Sequence, residues 1–299
     1  MCLDVPLSRF QFFRLGNPLA QAILKWESGY AIISVAFVTS MSDFDQRIAA
    51  LDMGLFEKIP SQTTDADKQT LLACELAVRE LKSGFNYLEI GSYLGGSIQP
   101  YLLDDRCARV YSIDKRPESQ PDARGYDWVY QNNSTKRMLE LLKEVGPTDK
   151  VTTIDGDTIA IRPSDVKDKI DLAFIDGEHT DEAVFRDFRF CLDVLAGNGA
   201  IMFHDAQITY NGIAASINHL VENGRKFRAY SLPNYAFVIE IGDFPMHKNE
   251  RILERLVDNH QSFLASLQYN DNYRRFSTRF PFGFIRRTLI KVRRSNVSQ

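Results

Sequence analysis

The sequence predicts an α/β protein built on a mostly parallel sheet, and three observations carry that expectation. Short β-rich runs alternate with helical runs from residue 85 onward. Acidic residues recur where successive strand runs end. The alternation then stops, and two strand runs follow one another across a tight turn. A helix between two strands returns the chain to the same edge of the sheet, so alternation gives parallel strands with helices on both faces.

The strand runs are FNYLEIG (85–91), RVYSID (109–114), KVTTID (150–155), KIDLAFID (169–176) and GAIMFHD (199–205). Helical runs are expected over about 95–104, 134–145, 180–195 and 211–223. FRAYSL (227–232), Pro233-Asn234 and YAFVIEIG (235–242) read as a closing hairpin. Before the sheet, DADKQTLLACELAVRELK (65–82) carries Leu71, Leu72, Leu76, Val78 and Leu81 at helical spacing, with Asp65 or Asp67 as cap. Three regions result: an N-terminal extension over 1–83, expected to be helical, a central domain over 84–243, and a C-terminal helix with a basic aromatic tail over 244–299.

With 299 residues and 44% hydrophobic content, the chain can bury a large core. Cys2, Cys74, Cys107 and Cys191 show neither pairing nor metal-ligand spacing, which fits a reducing compartment and speaks against zinc. No signal-peptide pattern is visible, and the most apolar run, 30–38, is far short of the roughly 20 residues that cross a bilayer. A cytoplasmic protein is expected. The net charge of −3 hides an asymmetry: residues 271–299 hold eight arginines and lysines against Asp271 alone, so the rest of the chain is acidic. Nucleic-acid binding by that acidic body is not expected.

The first strand run ends in a glycine loop, LEIGSYLGGS (88–97). In open parallel sheets, ligands lie beyond the carboxyl ends of the strands, where the strand order reverses. The dinucleotide fingerprint G-x-G-x-x-G fails here, because Tyr93 stands where its second glycine belongs. A Gly-Lys-Ser/Thr phosphate loop is absent as well. What remains is Glu89-x-Gly91-x-x-x-Gly95, with Ser92 and Tyr93 inside the loop and Ser97 behind it. Asp114 ends the second strand run and is placed to accept hydrogen bonds from ribose hydroxyls. Asp157 and Thr158 follow the third.

At these residues the sequence resembles the class I S-adenosylmethionine (SAM) methyltransferases, whose first motif carries an acid two positions before the first glycine. The resemblance implies a Rossmann-like sheet with a closing antiparallel hairpin. It implies SAM contacts from Glu89, Gly91, Ser92, Tyr93, Gly95 and Asp114, with Asp157 and Thr158 beside the adenine and Asp176 near the methyl-bearing end.

The segment FIDGEHTDEAVFRDFRFCLDVLAGNGAIMFHD (174–205) puts Asp176, His179, His204 and Asp205 at the ends of the fourth and fifth strands. Carboxylates and imidazoles gathered there can hold a divalent cation and remove a hydroxyl proton. The segment is similar to the family of the cephalosporin-biosynthesis and macrolide-sugar O-methyltransferases. By that resemblance Asp176 and Asp205 are ligands of a divalent cation, magnesium or manganese, and His179 is the general base. His204 stands where the sugar enzymes have an acid. Imidazole suits manganese, iron or zinc better than magnesium, so His204 is open as a base, a substrate contact or a hydrogen-bonded residue. Glu178, Asp181 and Glu182 read as acids favouring the start of a helix. Phe185, Phe188, Cys191 and Leu192 read as core, and Asn211-Gly212-Ile213 as a loop within reach of substrate. A catechol-type site is disfavoured, since Ala206 follows Asp205.

The expected function is SAM-dependent O-methylation of a sugar, glycan or small secondary metabolite, assisted by a cation where one binds. A nicotinamide-dependent oxidoreductase and a non-catalytic SAM-binding assembly module are the alternatives. Residues 1–80 are open as a lid or a dimer contact, the latter making a homo-oligomer. In the tail, Phe280, Phe282, Phe284, Ile285, Leu289 and Val292 interleave with Arg286, Arg287, Lys291, Arg293 and Arg294, a pattern that suits an anionic membrane surface and equally a solvated arm.

Overall fold

The computed structural model describes residues 12–14, 20–27, 30–37, 42–122, 127–257, 270, 275–285 and 287–288. The chain divides into two units, Met1–Arg47 and Ile48–Gln299. The first holds three antiparallel strands, β1 (Phe12–Arg14), β2 (Ala20–Glu27) and β3 (Tyr30–Phe37). The expected helical extension is therefore helical only from α1 (Asp43–Ala49) and α2 (Asp65–Leu81) onward. The β-branched Ile32, Ile33 and Val35 favour the strand, and the register pairs Glu27 with Tyr30 across a two-residue connection.

The second unit contains the seven-stranded sheet. Its strands are β4 (Phe85–Ile90), β5 (Cys107–Asp114), β8 (Val151–Asp155), β9 (Ile170–Ile175), β10 (Leu195–Phe203), β11 (Phe227–Leu232) and β12 (Ala236–Ile241). A separate two-stranded ribbon, β6 (Ser119–Pro121) with β7 (Asp127–Val129), interrupts the chain between β5 and β8 and had no signal in the sequence. The order across the large sheet is β11-β12-β10-β9-β4-β5-β8. β12 lies antiparallel between β11 and β10, whereas the β10-β9, β9-β4, β4-β5 and β5-β8 pairs are all parallel.

Helices α3 (Gln99–Leu103), α4 (Thr135–Val145), α5 (Asp181–Val194), α6 (Tyr210–Glu222) and α7 (Glu250–Val257) complete the unit. Leu88, Ile113, Ile175 and Phe203 from the strands pack in one buried cluster with Phe188 and Cys191 of α5 and Leu220 of α6. Phe185 and Leu192 pack against its margin, so all four α5 residues assigned to the core lie there. Three expectations need correction. α3 is five residues, not ten, because positive φ at Tyr93 and Gly95 keeps the glycine loop out of the helix until Pro100 can sit in its first turn. The cap of α2 is Thr64, whose hydroxyl and Asp67 form a reciprocal capping box, with Asp67 at its third position. Asn211-Gly212-Ile213 is the first turn of α6 rather than a loop, tied down by Asp181, which accepts from Asn211 Nδ2 at 3.0 Å and Gly212 N at 2.9 Å.

The strand order reverses between β4 and β9, and the two strand ends lie close together at that point. Gly91, with φ +92°, follows β4 directly, and a Cβ there would come within 2.1 Å of Asp176 O and 2.6 Å of Gly177 Cα. Both the backbone conformation and the space exclude a side chain. Gly91→Ala should therefore lower the melting temperature by about 5 °C or more, read by thermal unfolding. A melt superimposable on the parent would show that the two strand ends are free to part.

Candidate active site

Two cavities open at the carboxyl edge of the sheet and share Gly91, Tyr93, Tyr130 and Asp176 in their walls. The first runs along the ends of β4, β5 and β8, past Asp114, Lys115, Asp157 and Thr158. The second, of about 360 Å³, lies above the ends of β9 and β10 and is walled by His179, His204 and Asp205. The sequence-derived residues Gly91, Tyr93, Asp114, Asp157, Thr158 and Asp176 thus border one groove, and the reactive side chains border its neighbour.

Within the first groove the carboxylates are already committed. Asp114 accepts from the backbone N–H of Tyr93 at 2.8 Å and of Arg116 at 2.7 Å, fastening the glycine loop to β5. Lys115 Nζ reaches Glu178 Oε2 at 2.6 Å and Asp157 Oδ2 at 3.4 Å, while Arg186 Nε lies 3.3 Å from Asp157 Oδ1. Burial pushes the Asp157 carboxyl up, but the Ile159 N–H, Arg186 and Lys115 together outweigh it and hold it below the ordinary range. Glu178 is a partner of Lys115 on the groove wall, and the first-turn acids of α5 are Asp181 and Glu182. Thr158 donates to Asp187 Oδ1 at 2.5 Å.

Glu89 sits one step back. Its carboxylate is 1% exposed and accepts from Tyr87 OH at 2.7 Å and Ser97 Oγ at 2.5 Å. Ser97 and its neighbour Gly96 wall the second cavity, so Glu89 shapes the loop from beneath. Ser92 faces inward as well, its hydroxyl 2.5 Å from that of Ser112. Gly95 packs over Leu142 and Met138 of α4.

The second cavity brings four reactive side chains together. His179 Nε2 lies 3.5 Å from Asp176 Oδ1 and 3.3 Å from Asp205 Oδ2. His204 Nδ1 lies 3.0 Å from Asp176 Oδ1 and 3.4 Å from Asp205 Oδ2. Burial alone would raise both carboxyls and lower both imidazoles. Against it, the charges stabilise one another: His204 and His179 hold Asp176 far below the usual range and Asp205 below it, and Asp176 with Asp205 raises both histidines. Asp205 adopts φ +50°, uncommon for a residue with a side chain, and Gln207 Nε2 donates to its Oδ1 at 2.8 Å. Its second oxygen is left facing the histidines.

Asp176, His179 and Asp205 each bring one donor atom within 4.8 Å of the others, as a divalent cation requires. Two carboxylate oxygens and an imidazole nitrogen suit manganese, iron or zinc at least as well as magnesium.

Residues outside the sequence-derived set close this cavity. Ser61, Gln62, Thr63 and Thr64 line it from the segment before α2, Trp128 from β7, and Asn234 and Tyr235 from the β11-β12 turn. Asn234 and Tyr235 both have positive φ. Asn234 Nδ2 donates to Asp67 Oδ1 at 2.9 Å, Asp67 Oδ2 at 2.8 Å and Thr64 Oγ1 at 2.8 Å. The Thr64-x-x-Asp67 capping pattern and the Pro233-Asn234 turn are visible in the sequence, although nothing in it says that they meet.

Residues 88–206 match the family model of a methyltransferase domain. The chain carries a methyltransferase domain. With β12 inserted antiparallel between β11 and β10, the sheet closes in the antiparallel hairpin expected of the class I methyltransferases, in agreement with that match. Among solved structures, this methyltransferase is similar to the O-methyltransferase NovP, at 13% identity and TM-score 0.49 over 66% of this chain and 97% of that one. It is similar to CalS11, a TDP-rhamnose 3'-O-methyltransferase of calicheamicin biosynthesis, at 13% identity and TM-score 0.45 over 69% of this chain and 97% of the other. An O-methyltransferase from Bacillus cereus in complex with S-adenosylhomocysteine is similar at 13% identity and TM-score 0.43, over 68% of this chain and 93% of that chain. No curated protein matches in sequence.

Glu89 gives the fold a pH signature. Burial pushes its carboxyl up to about 7, against the hydrogen bonds from Ser97 and Tyr87. An acid raised in the folded state keeps its proton after the unfolded chain has lost one, so stability falls from about pH 4.5 to about pH 7 and then levels. Glu89→Gln removes that slope. Its stability relative to the parent should rise by up to about 3 kcal/mol across the window, measured by urea unfolding at each pH. A constant difference would mean that Glu89 ionises normally in the fold.

Proposed function

We propose that this methyltransferase transfers the SAM methyl group to a hydroxyl of a sugar or a comparably polar small molecule. The reading is supported chiefly by one observation: the groove bordered by Asp114, Asp157 and Thr158 meets the His179-Asp205 cavity at Gly91 and Asp176. Bound SAM supplies an electrophilic methyl on a sulfonium, already a good leaving group. In this reading Asp114 faces the ribose, Asp157 and Thr158 the adenine, and Asp176 the end of SAM that joins the two cavities.

The acceptor lies in the second cavity. Hydroxyl and amide side chains from Ser61 to Thr64 and at Asn234 and Gln207, with Tyr93, Trp128 and Tyr235 as flat apolar faces, suit a polyhydroxylated ring. His179 takes the hydroxyl proton as the oxygen forms its bond to the methyl carbon, and Asp176 and Asp205 stabilise the imidazolium that results. A divalent cation held on Asp176 and Asp205 would polarise the same oxygen.

His179→Ala should bind SAM as the parent does and lose turnover by about 10²- to 10⁴-fold, with affinity read by calorimetry and turnover by S-adenosylhomocysteine release. Unchanged turnover would remove His179 as base, and calorimetry showing NAD binding in place of SAM would remove the function itself.

A cytoplasmic setting with peripheral contact to an anionic membrane accompanies this reading. No helix among the described residues is long and apolar enough to cross a membrane. Phe276, Phe280, Phe282, Phe284 and Ile285 are all exposed, five large apolar side chains within ten residues of a basic tail. Such clustering marks an interaction surface. Arg286, Leu289 and 291–294 lie outside the described residues. The parent should sediment with phosphatidylserine vesicles and the 276–299 deletion should not; equal sedimentation of the two would dispose of the contact.

A further inference from the structure

The β6-β7 ribbon takes no part in the large sheet, yet its two strands reach different cavities. Gln120 of β6, which is buried, lies on the wall of the first groove, and Trp128 of β7 lies on the wall of the second cavity. The register pairs these two residues directly. Opposed residues of an antiparallel pair share a face, with Cβ atoms about 5 Å apart. The ribbon therefore sets an amide in one wall and an indole in the other, one side-chain spacing apart. Trp128 is held in place: its Nε1–H donates to Asp122 Oδ2 at 3.2 Å, and Asp122 is buried. The indole nonetheless stays 42% exposed, leaving apolar surface uncovered at a cavity whose other walls carry hydroxyls and amides.

The base of the ribbon is tied to the glycine loop. Tyr93 OH donates to Gln131 O at 3.0 Å, and its ring meets that of Tyr130 edge to face, with centroids 5.3 Å apart. Tyr130 N donates in turn to Glu118 O at 2.9 Å, continuing the pairing of the two strands. Tyr93 and Tyr130 border both cavities. A nucleoside in the first groove thus bears on Gln120, Tyr93 and Tyr130, and all three are packed or paired into the element that carries Trp128.

We propose that Trp128 is the specificity-determining platform for a carbohydrate acceptor, and that the ribbon couples its position to nucleoside occupancy of the first groove. The C–H face of a sugar ring packs on an aromatic face, and its hydroxyls turn to polar side chains, here Thr63, Gln207 and Asn234. The acceptor then binds more tightly after the nucleoside than before it, and by linkage it tightens the nucleoside by the same factor. The inference rests on the proposed sugar acceptor for its ligand and on the ribbon for the coupling.

Trp26 and Trp128 are the two tryptophans of the chain, so Trp26→Phe leaves Trp128 as the sole indole fluorophore. In that full-length variant, S-adenosylhomocysteine should shift the Trp128 emission. Methyl glycosides, methyl glucoside and methyl rhamnoside being the probes, should then change it at about 5-fold lower concentration than without the nucleoside. Gln120→Ala should shrink that difference while the glycosides still bind. In turnover with the same glycosides, Trp128→Ala should raise KM by about 10-fold or more with kcat little changed, and Trp128→Phe should recover most of the loss. Equal glycoside response with and without S-adenosylhomocysteine would overturn the coupling, and equal KM in parent and Trp128→Ala would overturn the platform. Both of those results leave the sugar reading standing, whereas failure to methylate any glycoside would sink that reading and this inference with it.

Discussion

The close approach of two strand ends governs this molecule. Where β4 stops and β9 stops, Gly91 lies against the backbone of Asp176 and Gly177 with no room for a side chain. That contact sits at the reversal of strand order, with β4, β5 and β8 to one side of it and β9, β10, β12 and β11 to the other. The two cavities are adjacent because these two backbones touch. Asp176, the first residue past β9, belongs to both, together with Gly91, Tyr93 and Tyr130.

The charge arrangement follows from that crowding. Two carboxylates and two imidazoles held within about one hydrogen-bond length of each other would be costly to bury singly. As a set they balance, and two of the four are restrained from outside the set: Asp205 by Gln207 and His204 by Asp67, which Asn234 holds in turn. The restraint reaches the backbone, where Tyr93, Asp205, Asn234 and Tyr235 all hold positive φ around one cavity. Strain of this kind persists only where the surroundings over-determine the conformation. Its concentration here is a physical mark of the site.

Much of this was legible in the sequence because it is local. The strand runs, α4, α5 and the hairpin emerge near their expected bounds, since each is set by its own periodicity and turn residues. Asp114, Asp157, Asp176, His179, His204 and Asp205 were readable as strand-end residues, because a parallel sheet sends all its strand ends to one edge. What could not be read is non-local. Nothing in TTDADK (63–68) indicates that Asp67 meets His204, and nothing in Pro233-Asn234 indicates that the turn bends over the cavity. Glu89 shows the same limit. Its spacing to Gly91 gave its neighbourhood, but only the packing of Tyr87 and Ser97 reveals that its carboxylate is enclosed. The β6-β7 ribbon was missed for a simpler reason: its strands are too short for alternation to register.

The β11-β12 turn has an implication for how such a protein diversifies. Its tip carries Asn234 and Tyr235 into the cavity, yet the strands that bear it lie at the far edge of the sheet from β5 and β8. On the proposed function, nucleoside recognition and acceptor recognition are therefore written in separable stretches of the gene. A lineage can exchange the hairpin tip and the stretch ahead of α2 to acquire a new acceptor while inheriting its methyl donor unchanged.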